Sequence, residues 1–100
     1  ICKRMKAAQA AGKLKREQQF VMQWEREGRL LQGIIDAFFE EDGRMILVDY
    51  KTDRGKSDEQ FREAYAPQQE AYARAIEAAT GIKVTEKILY ALESGKEIYL

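Results

Sequence analysis

Gly33-Ile34-Ile35-Asp36-Ala37-Phe38-Phe39-Glu40-Glu41-Asp42-Gly43-Arg44-Met45-Ile46-Leu47-Val48-Asp49-Tyr50-Lys51 is the stretch that decides the fold. Two β-prone runs flank Asp42-Gly43. An Asp-Gly pair in that setting signals a two-residue hairpin turn, whose central residues need positive φ. A turn there sets Glu41 against Arg44, and each further pair moves one residue outward on both strands. Asp36 then falls opposite Asp49. Directly paired residues point to one face with Cβ atoms roughly 4.5–5.5 Å apart. Lys51 lies two residues beyond Asp49 and shares that face. The hairpin therefore gathers two carboxylates and an ammonium.

Two carboxylates at about 5 Å repel by roughly 3 kcal/mol at an effective dielectric of about 20. A shared proton, a nearby cation or a bound metal must offset this. Lys51 supplies part of the offset, and a divalent ion would do it better. Hard oxygen donors on a rigid sheet suit Mg²⁺ or Mn²⁺.

Bulk composition narrows the choice. A chain of 100 residues makes at most one domain, so residues 1–100 are read as a single domain. Hydrophobic residues at 45% and charged residues at 34% describe a globular chain. No apolar run is long enough for a membrane span, and no secretory signal is visible, so a cytoplasmic location is expected. The chain begins at Ile1, which suggests a piece of a longer protein. The single cysteine, Cys2, excludes an internal disulfide and is read as inert; the absence of histidine excludes Ser-His-Asp or Cys-His catalysis within these residues. Any metal here is held by oxygen. The net charge of zero argues against a generic nucleic-acid binder. Residues 1–16 carry Lys3, Arg4, Lys6, Lys13, Lys15 and Arg16 with no acid, a block that suits phosphate or a solvated helix face.

The elements follow from periodicity and punctuation. Residues 1–12 read as a helix with Met5, Ala8 and Ala11 on one side, ending at Gly12. Residues 17–25 read as a strand, with a turn at Glu27-Gly28, and residues 30–40 and 44–51 as the hairpin. Ile34, Phe38 and Leu47 are expected on the face of the polar trio, and Ile35, Ala37, Phe39, Ile46, Val48 and Tyr50 on the other. Both faces are apolar, so helices should cover each. Ser57 with Gln60 forms a capping-box pattern that opens a helix at about 58–65. Pro67 is expected to open a second helix running to about Thr80, with Gly81 as its stop. Residues 82–92 and 96–100 read as two closing strands. The order α-β-β-β-α-β-β implies an α/β (α+β) fold with a central mixed sheet and a right-handed crossover. Trp24 reads as core or rim, Phe38 and Phe39 as core, and Arg54 and Lys56 as phosphate contacts or a solvated loop.

These residues resemble a known family. Gly33-Ile34-Ile35-Asp36-x-Phe38-Phe39-Glu40-Glu41, followed by Val48-Asp49-Tyr50-Lys51-Thr52-Asp53, is similar to the nuclease core of the RecB-like PD-(D/E)XK superfamily. Gln68-x-x-x-Tyr72 matches its Q-x-x-x-Y helix motif, and Arg16-Glu17-x-x-Phe20 and Leu89-Tyr90 resemble flanking strands. The likeness spans nearly the whole chain and is strongest to nuclease domains at the C-termini of AddA-type helicase–nuclease subunits.

The resemblance implies a restriction-endonuclease-like core and Mg²⁺- or Mn²⁺-dependent cleavage of DNA in double-strand break repair, most simply as an exonuclease. Asp36, Asp49 and the Tyr50 carbonyl would be metal ligands. Lys51 would position the attacking water and stabilise charge on the phosphate. Gln68 and Tyr72 would support the site or contact DNA. ATP would bind only in the missing helicase part, and a second helicase–nuclease subunit would be a partner. An inactive module that guides DNA or docks a subunit, or a phage-type exonuclease of the same superfamily, are the alternatives. The family's usual further ligand, often a histidine on an upstream helix, has no counterpart here, and Glu17 is at best a partial substitute. The expectation is an incomplete site with weak metal binding and little nuclease activity in isolation.

Overall fold

A computed structural model describes residues 1–24 and 29–100, with side chains outside 22–31. The turn expected at Glu27-Gly28 and the surroundings of Trp24 lie outside the described residues. The elements run α1 (Cys2–Ala10), β1 (Leu14–Trp24), β2 (Arg29–Glu41), β3 (Arg44–Lys51), α2 (Asp58–Thr80), β4 (Val84–Ala91) and β5 (Lys96–Tyr99), the order read from the sequence. They form one sheet in the order β1-β2-β3-β4-β5. Only the β3–β4 pair is parallel, and α2 provides its crossover. This is the mixed α+β sheet expected for a restriction-endonuclease-like core.

The hairpin register is the predicted one. Glu41 pairs with Arg44, Phe39 with Ile46 and Ala37 with Val48. Asp42 and Gly43 take φ of 53° and 76°, as a two-residue turn between twisted strands requires. The ladder stops at Ala37–Val48, just before Asp36.

Helices cover both faces. On one, Met5 and Ala8 of α1 pack on Ala37, Phe39, Ile46, Val48 and Ile88. Ala11, expected on the same side of α1, is exposed. On the other, Ile76 of α2 packs on Ile35, Phe38, Met45 and Leu47. Farther along α2, Phe61 joins Leu89, Ala91 and Ile98. Each fully buried Phe, Ile, Leu, Met or Val side chain among these contributes roughly 1.5–3 kcal/mol, and each alanine less.

Two sequence expectations are corrected. Strict alternation assigned Ile35 to the α1 face and Ile34 to the face of the polar trio. Instead Ile35 packs in the α2-face cluster, and Ile34 is 52% exposed. The cause lies at Asp36 and its β1 neighbour. The β1–β2 pairing runs through Arg16–Ala37 and Gln18–Ile35 but omits Glu17–Asp36, and Glu17 has a left-handed φ of 49°. That local break reverses the parity of β2.

The second correction concerns Pro67. It does not open a new helix, because α2 is continuous from Asp58 to Thr80 with Pro67 inside it. Phe61 before the proline and Gln69, Ala73 and Ile76 after it are all buried, so packing holds the two halves on one axis despite the lost backbone donor. The ends are as expected. Ser57 Oγ accepts from Gln60 N–H, the Gln60 side chain accepts from Ser57 N–H, and Gly81 closes the helix at φ 72°.

Pro67 is exposed, so its replacement disturbs little packing. Pro67→Ala is expected to raise stability by about 1–3 kcal/mol, and Ser57→Ala to lower it by about 1 kcal/mol. Urea unfolding followed by far-ultraviolet circular dichroism checks both signs.

Candidate active site

The site is built where β2, β3 and α2 meet. Asp49 and Lys51 project from β3 toward α2 and Tyr50, between them, projects the opposite way. The Tyr50 hydroxyl contacts Met5 of α1, and its ring meets Tyr90 edge-on at 6.0 Å. Asp36 sits at the break in β2. Its carboxylate accepts the Tyr50 N–H at 2.9 Å, so a side chain stands at the end of the ladder where a backbone carbonyl would otherwise serve. That bond turns Asp36 toward β3, where its carboxyl lies close enough to Asp49 to help raise the Asp49 pKa.

Asp49 is only 3% exposed. Burial pushes its carboxyl up to about 6, the contact with Asp36 pushes the same way, and Lys51 opposes both.

A closed ring of donors and acceptors fixes the rest. Lys51 Nζ contacts Asp49 Oδ2 at 2.8 Å and donates to Gln68 Oε1 at 2.9 Å. Gln69 Nε2 donates to the same Asp49 Oδ2 at 2.9 Å and reaches the same Gln68 Oε1 at 3.4 Å. Two donors thus alternate with two acceptors. The Lys51 ammonium also lies 4.0 Å from the centre of the Tyr65 ring, and the Tyr65 hydroxyl donates to Asp53 Oδ2 at 2.6 Å. That short bond to a carboxylate is the main reason the Tyr65 hydroxyl is pushed up to about 12. Tyr72 stands beside this group. Burial raises its hydroxyl pKa, followed by the charges of Asp49 and Asp36. Its ring packs edge-on against Phe20 at 5.2 Å, and Gly33 leaves them room: a Cβ there would lie 3.2 Å from Phe20 Cε1.

The structure therefore brings Asp36, Asp49, Lys51 and Gln68 into one connected group, with Tyr72 at its border and the Tyr50 backbone bonded to Asp36. Sequence reading missed Gln69 and Tyr65. Gln69 was the more legible. Phe61, Gln69, Ala73 and Ile76 recur at helical spacing as one stripe, and a glutamine on an apolar stripe needs a partner. Gln69 is fully buried, and its Oε1 has no hydrogen-bond partner among the described residues.

The basic block of residues 1–16 is partly absorbed by the fold. Arg4 spans Glu41 and Glu86 at 2.8 and 2.6 Å, and Lys13 lies 3.6 Å from Glu40. Arg54 and Lys56 pair with Glu93 and Asp53. Cys2 is free and exposed. Among the described residues no helix is long and apolar enough to cross a membrane.

Comparison with known proteins places the chain in a family. The family model of the PD-(D/E)XK nuclease superfamily matches residues 2–99. The chain is 46% identical over 76 residues to an ATP-dependent helicase/nuclease of Thermoanaerobacter sp. (strain X514), a match covering 73% of this chain and 6% of that protein. It is 46% identical over 70 residues to the protein of the same name from Clostridium botulinum (strain Alaska E43 / Type E3), covering 70% and 6%. Against its counterpart in Clostridium kluyveri (strain ATCC 8527) it is 51% identical over 61 residues, covering 61% and 5%. Each of these relatives is named as one subunit of its enzyme. The matches take in about 6% of the length of the first two.

The raised Asp49 carboxyl has a signed effect on stability. The folded chain holds this proton more tightly than the unfolded one, so the contribution is full below about 3.8 and is lost as pH rises through about 6. Asp49→Asn keeps an acceptor for Gln69 and removes the charge. In EDTA the variant is expected to be more stable than the parent at pH 8 by about 1–2 kcal/mol, with the gap closing at pH 4. Urea titrations at the two pH values test this, and a variant weaker than the parent at pH 8 contradicts it.

Proposed function

We propose, because this chain belongs to the PD-(D/E)XK nuclease superfamily, that it is the nuclease domain within one subunit of an ATP-dependent helicase–nuclease, where it hydrolyses DNA phosphodiester bonds with a divalent metal. In this reading residues 1–100 form a single nuclease domain. The motor and its ATP site lie elsewhere in the subunit. A second subunit completes an enzyme that trims DNA ends, as an exonuclease, during break repair in the cytoplasm. The supporting observation is the convergence of Asp36 and Asp49 from adjacent strands, with the Lys51 ammonium 2.8 Å from Asp49.

The donor set fits a hard cation such as Mg²⁺ or Mn²⁺. The Asp36 and Asp49 carboxylates and the Tyr50 carbonyl would hold it, and all are oxygen. A cation also relieves what raises the Asp49 pKa, which is burial beside a second carboxyl. Among the described residues no group of three or more His, Cys, Asp or Glu converges, so the described part of the site offers two carboxylates and leaves further coordination to water or other ligands. When bound, the ion neutralises phosphoryl oxygens and acidifies a coordinated water.

The chain's own residues do the remaining work. Tyr50 N–H anchors Asp36, and Lys51 and Gln69 anchor Asp49, so both carboxylates are oriented in advance. Gln68 and the Tyr65 ring hold the Lys51 ammonium, a compact point charge suited to a phosphate oxygen and to ordering the attacking water. Tyr72 borders the carboxylates on the side of Phe20, where a DNA strand would pass.

Calorimetric titration with Mn²⁺, together with digestion of end-labelled duplex DNA, tests the proposal. The wild-type chain is expected to bind Mn²⁺ weakly and to cleave DNA slowly or not at all in isolation. Asp36→Asn and Asp49→Asn should abolish the binding. In the complete subunit, these two and Lys51→Met should each cut cleavage at least about 100-fold. Binding that survives both aspartate substitutions would remove the assignment.

A further inference from the structure

We propose that Gln69 is a positioning residue for Asp49, setting which carboxylate oxygen faces a bound cation; this rests on the metal-dependent reading above. Gln69 is the buried polar side chain of the apolar face of α2, surrounded in that stripe by Phe61, Ala73 and Ile76. A leucine at that place would pack on the sheet at least as well and would need no partner. What the glutamine adds is a directed N–H. It reaches Asp49 Oδ2, the oxygen that Lys51 also contacts. With two donors on Oδ2, the carboxylate cannot rotate without breaking both bonds, and Oδ1 is the oxygen left for a cation. Lys51 alone would not fix this, because its ammonium, though held by Gln68 and the Tyr65 ring, gives the carboxylate a single contact about which to turn. A planar amide on a packed helix adds the second.

The second observation is the other end of the same amide. Gln69 Oε1 is buried and has no donor among the described residues. Nε2 is committed to Asp49 and Gln68, so turning the amide over would set two oxygens face to face. No described protein group supplies a donor to Oε1, and a water of the hydrated ion would supply one. Gln69 would then orient the carboxylate with one end and hold a coordinated water with the other. Supporting groups of this kind typically change metal affinity by 10–100-fold.

Three measurements on the 100-residue protein decide the point. Gln69→Leu and Gln69→Met keep the volume and remove both polar ends, and each is expected to melt in EDTA at or above the parent temperature while losing at least about 10-fold in Mn²⁺ affinity. A purely structural glutamine would show the reverse, a lower melting temperature with unchanged Mn²⁺ affinity. In the wild-type chain, which avoids any folding question, the Gln69 side-chain amide resonances should shift on adding Mg²⁺ and stay put in Asp49→Asn. Mn²⁺ affinity within twofold of the parent in either folded variant, or amide signals indifferent to Mg²⁺, overturns the inference and leaves the nuclease reading standing. Failure of the wild-type chain to bind Mn²⁺ at any concentration overturns both.

Discussion

The Asp49 carboxyl, buried on the covered face of a sheet with Asp36 beside it, cannot be ionised there without penalty. Water is largely excluded from Asp49, and the nearest group on β2 is another acid. The dielectric that would soften their repulsion in solvent is missing. Everything around the pair can be read as a response to that constraint. Lys51 places a positive charge on Asp49, Gln69 adds a neutral donor, and the Tyr50 N–H satisfies Asp36. The response is incomplete, since the Asp49 carboxyl still sits near 6, well above its ordinary 3.8. That residual bias toward the protonated form is what the proposed cation would relieve.

The surrounding architecture keeps that bias from relaxing. β3 lies in the middle of a five-stranded sheet, so Asp49 and Lys51 cannot swing away. The α2 helix crosses over them and is pinned at both ends, by Phe61 on Leu89 and Ile98 and by Ile76 on Phe38 and Leu47. Between these anchors lie Tyr65, Gln68, Gln69 and Tyr72, the helix's polar contribution to the site. A continuous helix through Pro67 is what places all four at fixed intervals over the strand. Two shorter helices would have left their spacing to a hinge.

The opposite face has a different task. There Tyr50 packs toward Met5 and Tyr90, and Arg4 ties α1 to Glu41 on β2 and Glu86 on β4. Strand alternation thus divides a four-residue segment cleanly: the Val48 and Tyr50 side chains pack on the α1 face, while those of Asp49 and Lys51 face α2. Of the basic block near the start of the chain, Arg4 is committed to the α1 face.

What the sequence determined by itself was whatever local chemistry enforces. Asp42-Gly43 fixed the turn, the turn fixed the register from Glu41–Arg44 to Ala37–Val48, and the register put Asp36 near Asp49 and Lys51. Ser57 with Gln60 and Gly81 fixed the ends of α2. The family motifs led to the same residues. Tertiary structure decided the rest, because those features depend on partners far apart in the chain. Period-two alternation could not reveal that β2 reverses parity at Asp36, since the cause is an irregular pairing with Glu17 on another strand. Helix rules placed a boundary at Pro67, and only burial on both sides of it kept the helix whole. Gln69, adjacent to Gln68 in sequence, went unread, and only α2 laid on the sheet separates the two: one points its amide at a buried carboxylate and the other caps an ammonium near solvent. Hydrogen-bond partners of buried groups are set by the packing of whole elements, and neighbouring letters in a sequence carry little of that information.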